Sequence, residues 1–350
     1  MNSKDEREPP VSGAPASVSA ATFTIPLQLT VSIGKPTREA RVSEVAPLSA
    51  PQVQRAEVEA EAVPAPDFEL ARAIAAYVPL LNASYQLAAQ TPFELPAGYT
   101  RLADVRVGGM EAVDIESTLT PEQQLAVEHD RRALVQGATP GNTEALADPS
   151  AFGFVVREDA TGAVLISIRG TQTPAEWLAD FVPVPVPFFE SPSMGFVHVG
   201  FGVFYHKVRG SIQAALGKID AGTRVTVLGH SLGGAMGVLC AADIERNMGR
   251  KNVDVCTFGG PRTGKIDFRI HFNHEISRCF RAVNALDIVP HVPSVITGWN
   301  HVGVEIGVNG KGGSSAHSLD AYLDGLKKLA QGVGSETVDF SRQVMSIRLL

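Results

Sequence analysis

Thr223-Arg224-Val225-Thr226-Val227-Leu228-Gly229-His230-Ser231-Leu232-Gly233-Gly234-Ala235-Met236-Gly237-Val238-Leu239-Cys240-Ala241-Ala242 is the stretch that decides the fold. Residues 223–228 form a short, apolar, β-branched run and predict a strand. Residues 234–242 are small and apolar and predict a helix packed on a sheet. Between them, Gly229-His230-Ser231-Leu232-Gly233 fits Gly-x-Ser-x-Gly at a sharp strand-to-helix turn. Such a turn forces its serine into a strained backbone conformation with Oγ standing clear of the sheet. Gly229 and Gly233 let strand and helix approach where a Cβ would clash. The helix start beneath the serine offers free N–H groups and the positive end of a dipole to a developing anion. Ser231 is therefore the candidate nucleophile, and the bare alternative is a glycine-rich packing turn.

The rest of the chain is compatible with an enzyme domain. At 350 residues it can bury a large α/β core with extensions, and 44% hydrophobic with 19% charged residues is ordinary for such a domain. A net charge of −7, with no basic stripe, excludes a nucleic-acid partner from the expectation. Cys240, Cys256 and Cys279 lie in apolar stretches and predict buried free thiols. No Cys-x-x-Cys or histidine cluster accompanies them, so no metal and no cofactor is expected. The charged, Pro-rich start Met1-Asn2-Ser3-Lys4-Asp5-Glu6-Arg7-Glu8-Pro9-Pro10 lacks the apolar run of a signal peptide. No stretch is long enough to span a bilayer. A cytoplasmic protein, or one exported by a signal-independent route, is the expectation.

Residues 1–66, rich in Ala, Pro, Val, Ser and Glu, read as a largely disordered arm. Within it, Phe23, Ile25, Leu27, Leu29, Val31 and Ile33 alternate with polar residues and Pro26, which predicts an edge strand over 23–33. That strand either extends the main domain or augments the sheet of a partner. Residues 67–350 are expected to form the main domain. A helical pattern over 68–90 is interrupted at Pro79, and a second helix runs over 121–136 after Thr120-Pro121-Glu122. Strands over 152–157 and 163–168 form a hairpin. A helix over 201–216, strands over 253–258 and 280–283, and a helix over 318–329 follow. Strands alternating with helices imply a mostly parallel central sheet with helices on both faces.

A nucleophilic serine needs a base to take its proton, and the base needs a carboxylate to hold its tautomer. With such an elbow the chain order is serine, acid, histidine. The acids after Ser231 are Asp243, Glu245, Asp254, Asp267, Glu275, Asp287, Glu305 and Asp320. Asp243 and Glu245 fall on the helix leaving the elbow and read as solvated charges. Asp287 follows the strand over 280–283, on a loop at the carboxyl edge where sites of such sheets lie. His291, His301 and His317 all follow it. His301 precedes alternating Val302, Val304 and Ile306 at a strand start, and residues alone leave the base open among these three.

Six segments in order resemble the class 3, or fungal-type, triacylglycerol lipases, with an α/β-hydrolase fold. Ile166-Ser167-Ile168-Arg169-Gly170-Thr171 looks like the family's strand and Arg-Gly-Ser/Thr turn. Trp177 and Asp180 look like lid residues, and Val197-His198-Val199-Gly200-Phe201 matches a helix start. The elbow over 229–235 and Thr257-Phe258-Gly259-Gly260-Pro261-Arg262-Thr263-Gly264 follow. Asp287-Ile288-Val289-Pro290-His291-Val292-Pro293 is similar to the acid loop. The resemblance spans about 150–325.

The resemblance implies a triad of Ser231, Asp287 and His317, the last from Ala316-His317-Ser318-Leu319-Asp320-Ala321-Tyr322, which looks like the family's Asp-His-x-x-Tyr with alanine in place of the first aspartate. It implies an oxyanion hole from the backbone N–H groups of Thr171 and Leu232, and a lid with Trp177, Leu178 and Phe181 as substrate-binding residues. Val182-Pro183-Val184-Pro185-Val186-Pro187-Phe188-Phe189 reads as an apolar wall at the site mouth or as a plain connecting strand. The expected activity is carboxylic ester hydrolysis on acyl glycerides, with lipid or another ester as the substrate, taken at a lipid–water interface. Phospholipase and feruloyl-type esterase activities are the enzymatic alternatives, and an interaction protein with a vestigial hydrolase domain is the other.

Overall fold

The computed structural model describes residues 68–108, 114–135, 150–171 and 182–332. All of them lie in the unit Ala62–Leu350. The arm over 1–66 with its strand at 23–33, and the lid residues Trp177, Leu178 and Phe181, fall outside the described residues.

The strands are β1 (Tyr99–Arg106), β2 (Ala151–Glu158), β3 (Val164–Ile168), β4 (Pro185–Pro187), β5 (Phe196–His198), β6 (Val225–His230), β7 (Val253–Phe258), β8 (Gly264–Lys265), β9 (Cys279–Asn284), β10 (Trp299–Asn300) and β11 (Val304–Val308). The helices are α1 (Phe68–Ala75), α2 (Val78–Ala88), α3 (Pro121–Val135), α4 (Val199–Leu216), α5 (Leu232–Asn247), α6 (Ile266–Glu275) and α7 (Leu319–Ala330). The central sheet runs β1-β2-β3-β6-β7-β9-β11. From β3 onward every pairing is parallel, while β1, β2 and β3 pair antiparallel.

The central strands are apolar on both faces, as a sheet covered by helices on both sides requires. Alternate side chains divide between two cores. Val225 and Val227 of β6 join the α4 and α5 side with Phe201, Tyr205, Met236 and Leu239. Leu228 joins the opposite core with Ile74, Leu80, Leu81, Tyr322 and Leu326 of α1, α2 and α7. On that second face α2 docks through a buried hydroxyl pair. Ser84 Oγ donates to Ser167 Oγ at 2.8 Å, and Ser167 Oγ donates to the Leu80 carbonyl at 3.2 Å.

Three sequence readings are refined. The break between α1 and α2 falls at residues 76–77, and Pro79 sits in the first turn of α2, where a missing N–H costs nothing. The Val-Pro run enters β4, which belongs to a separate small sheet of order β10-β8-β5-β4. Its Val184, Val186 and Phe188 side chains are buried in the α4 and α5 core, as a connecting strand would be. Asp243 and Glu245 are buried, contrary to the solvated reading. Asp243 accepts hydrogen bonds from Tyr205 at 2.6 Å and Arg209 at 2.7 and 3.0 Å, both on α4, and from Asn247 at 2.6 Å. Among the described residues no helix is long and apolar enough to cross a membrane.

Candidate active site

The carboxyl ends of the parallel strands collect the candidate residues, where open α/β sheets bind ligands. Thr171 follows β3, Ser231 follows β6 and Asp287 follows β9, while His317 stands just before α7. Ser231 has φ 58° and ψ −129°, a conformation that a side-chain-bearing residue holds only where its surroundings impose it. The imposition is visible at Gly229, where a Cβ would fall 2.1 Å from the Gly233 carbonyl oxygen, so strand and helix meet too closely for any other residue. Helix α5 starts at Leu232 with no side-chain cap. Its N-terminal dipole end stays open to a ligand.

His317 and Asp287 are joined. His317 Nδ1 lies 2.7 Å from Asp287 Oδ2, and both residues are buried. Asp287 has two further donors. The Tyr322 hydroxyl donates to Oδ2 at 2.5 Å, and the Val289 N–H donates to Oδ1 at 3.0 Å. The carboxylate is thus fixed on three sides. Burial, and then the Asp287 charge, push the Tyr322 hydroxyl well above its ordinary pKa, so it remains a donor. Tyr322 accepts in turn from the Asn284 N–H at 3.2 Å. The Asn284 side-chain amide donates to the Gly310 and Ala316 carbonyls at 3.0 and 2.7 Å and pins the loop that ends at His317. Sequence reading placed Tyr322 inside a motif without a role, and it missed Asn284, whose only signal is its position at the end of β9.

Ser231 Oγ, His317 Nε2 and Thr171 Oγ1 are buried and have no hydrogen-bond partner among the described residues. Buried polar atoms are nearly always satisfied, so three exceptions in one place call for an explanation. The Gly170–Thr171 turn packs directly on the elbow. A Cβ at Gly170 would lie 2.5 Å from Ser231 Cβ and 3.1 Å from the Leu232 nitrogen. On the other side, a Cβ at Gly259 would meet Asp287 Oδ2 at 2.8 Å and His317 Cε1 at 3.0 Å. Arg169, fully buried, donates from Nε to the Ala151 carbonyl at 2.8 Å and from Nη1 to the Gly170 carbonyl at 2.7 Å. In a trans peptide the N–H points away from the C=O, so this bond aims the Thr171 N–H away from Arg169.

The two other histidine candidates stand apart from this cluster. His301 is half-buried against the acid loop, with Nε2 2.7 Å from the Pro290 carbonyl, and desolvation followed by the Arg281 charge pushes its pKa well below the usual value. His291 closes a short 3-10 turn over Val289–His291, with its side chain exposed. His230, next to the serine, turns inward onto Tyr85 and the His317 carbonyl.

Residues 165–297 match the family model described as lipase, class 3. A lipase of Rhizomucor miehei is 36% identical over 162 residues, 43% of this chain and 43% of that protein. The chloroplastic phospholipase A(1) DAD1 of Arabidopsis thaliana is 33% identical over 152 residues, 38% of this chain and 34% of that protein. The chain thus spans less than half the length of these relatives. Among solved structures, the Lip2 lipase of Yarrowia lipolytica has a similar fold, with TM-score 0.52 at 18% identity over 73% of this chain and 83% of that one. The matched segment, which is similar to the class 3 lipases, holds Thr171, Ser231 and Asp287, and the central sheet has the α/β-hydrolase fold.

Proposed function

We propose that this protein is a serine ester hydrolase that cleaves acyl glycerides through an acyl-enzyme intermediate. The observation that carries the reading is the 2.7 Å pairing of His317 Nδ1 with Asp287 Oδ2 beside a serine held at φ 58°. That pairing keeps the proton on Nδ1 and leaves Nε2 as a base. Ser231 Oγ attacks the ester carbonyl carbon while His317 Nε2 takes its proton. The imidazolium then returns the proton to the leaving alcohol. Asp287 accepts the Nδ1 hydrogen bond throughout and stabilises the imidazolium. Water repeats the sequence on the acyl-enzyme, with His317 as base again. The Thr171 and Leu232 N–H groups receive the carbonyl oxygen as it becomes an oxyanion, and such a donor is worth on the order of 3 kcal/mol of barrier. The unpaired Thr171 hydroxyl supplies a third donor.

Ser231→Ala should abolish turnover and fluorophosphonate labelling while the thermal unfolding midpoint stays near that of the unmodified chain. Residual hydrolysis at the original rate would remove Ser231 as nucleophile, and a chain that never labels would be a non-catalytic scaffold. Rates across triglyceride emulsions, phospholipid vesicles and feruloyl esters sort the substrate. The phospholipase A(1) among the relatives makes phospholipid the second substrate class to measure.

A further inference from the structure

Tyr85 of α2 lies outside the segment that matches the family model, and no step of the hydrolysis uses it. Its hydroxyl nevertheless sits at the junction of three parts of the site. It accepts a hydrogen bond from the Gly170 N–H at 2.9 Å. It also lies 2.6 Å from His230 Nδ1. The far nitrogen of the same ring, His230 Nε2, lies 2.9 Å from the His317 carbonyl oxygen. A carbonyl only accepts, so Nε2 carries the proton, Nδ1 accepts, and the Tyr85 O–H is the donor. The bonds therefore run in one direction: Gly170 N–H to Tyr85, Tyr85 O–H to His230, His230 N–H to His317.

Each end of this line is a part of the proposed machinery. Gly170 precedes Thr171, the second oxyanion donor. His317 is the base, and its ring lies tilted at 34° with its centre 4.8 Å from that of His230, which is itself bonded to Ser231 through the chain. We propose that Tyr85, acting through His230, is a positioning residue that holds the oxyanion turn, the serine elbow and the base in one register. The inference rests on the serine hydrolase reading above.

The chemistry of the two side chains suits a fixed strut. Burial holds the Tyr85 hydroxyl up at about 12, so it keeps its proton. Burial, then the neighbouring His317, takes His230 down to about 3, so its ring stays neutral with one donor and one acceptor. The Ser84–Ser167 pair anchors α2 one residue earlier. With Arg169 holding the Gly170 carbonyl and Tyr85 its N–H, both polar groups of Gly170 are bound, and the plane of the donor peptide has no freedom to turn.

Tyr85→Phe keeps the ring and deletes the hydroxyl, and the measurement is made on the full chain with a soluble p-nitrophenyl ester and an alkylboronic acid. The boronate forms a tetrahedral adduct with the serine and reads the oxyanion hole separately from substrate binding. The expected result is a kcat lower by roughly 10- to 100-fold, short of the loss for a deleted oxyanion donor. KM should stay within about twofold, and the boronate inhibition constant should rise with the fall in kcat/KM. His230→Gln retains an amide donor for the His317 carbonyl and should keep more activity than His230→Leu. A side chain that only packs would lower the unfolding midpoint and leave kcat and the boronate constant in place. That outcome overturns the proposal while fluorophosphonate labelling of Ser231 leaves the enzyme reading standing. Unlabelled, inactive protein overturns both. Should Tyr85→Phe not fold, equal kcat and boronate constants for His230→Gln and His230→Leu overturn the strut.

Discussion

At the scale of residues, the base is where sequence and structure differ most in what each can decide. His291, His301 and His317 all obey the serine–acid–histidine order, and nothing in their neighbours separates them by spacing alone. In the structure His317 Nδ1 lies 2.7 Å from Asp287 Oδ2, whereas His301 Nε2 lies 2.7 Å from the Pro290 carbonyl, and this supports His317 as the proposed base. His317→Ala should therefore reduce kcat as far as Ser231→Ala, and the double variant should be no worse, because the members of a triad act as a unit. His301→Ala should keep kcat within about tenfold and lose stability instead, by roughly 1–3 kcal/mol for the unpaired carbonyl and the lost packing. Initial rates and denaturant midpoints of the three variants check this, and the opposite order would move the base to His301. Asp287 stood out as the candidate acid because it lies on the loop that follows a strand. Asp243 was misread because its partners are distant in sequence: Tyr205 and Arg209 lie a helix and a strand earlier.

Elements were legible in proportion to their burial. β6, β7 and β9 are covered on both faces, and their apolar runs announced them before any contact was known. β1 gave no such signal. It is the edge of the sheet, its register shifts twice against β2, and among its residues Val105 alone is buried, so Tyr99-Thr100-Arg101-Leu102-Ala103-Asp104-Val105-Arg106 carries no alternation. Its antiparallel pairing with β2 is also why the sheet is parallel only from β3 onward. Helix α3 was legible from its start. Thr120 Oγ1 accepts from the Gln123 N–H at 3.3 Å, and Gln123 Oε1 accepts from the Thr120 N–H at 2.8 Å, a capping box one residue beyond the Glu122 that drew attention in the sequence. Thr120→Ala should cost about 1 kcal/mol of stability in a urea titration with kcat unchanged. A shift indistinguishable from zero would mean that α3 is held by its packing on α4 and not by its cap.

For the molecule as a whole, acid stability follows from its buried histidines. Burial drives His198 down to about 4 and His230 to about 3 from the ordinary 6.5, and His301 well below it. His198 and His230 are neutral in the folded chain near pH 5, while the unfolded chain binds a proton at each. A group with a depressed folded pKa contributes its full stability above 6.5 and loses it as the pH falls toward the folded value. The slope is roughly 1.4 kcal/mol per pH unit for each of these two over the window from 6.5 to about 4, and His301 acts in the same direction. The unfolding midpoint should therefore drop steeply through that interval, and a flat profile down to pH 4 would show that these rings accept protons in place. The same enclosure governs the thiols. Cys240 on α5, Cys256 on β7 and Cys279 on β9 are free and buried, and burial raises all three, Cys279 to about 12. A native fold thus presents alkylating agents with no thiolate and no access. Each sulfur is a stopwatch for the piece of protein around it: the rate at which iodoacetamide consumes it measures how often the helix under the serine, or either of the two strands beside it, comes apart and closes again.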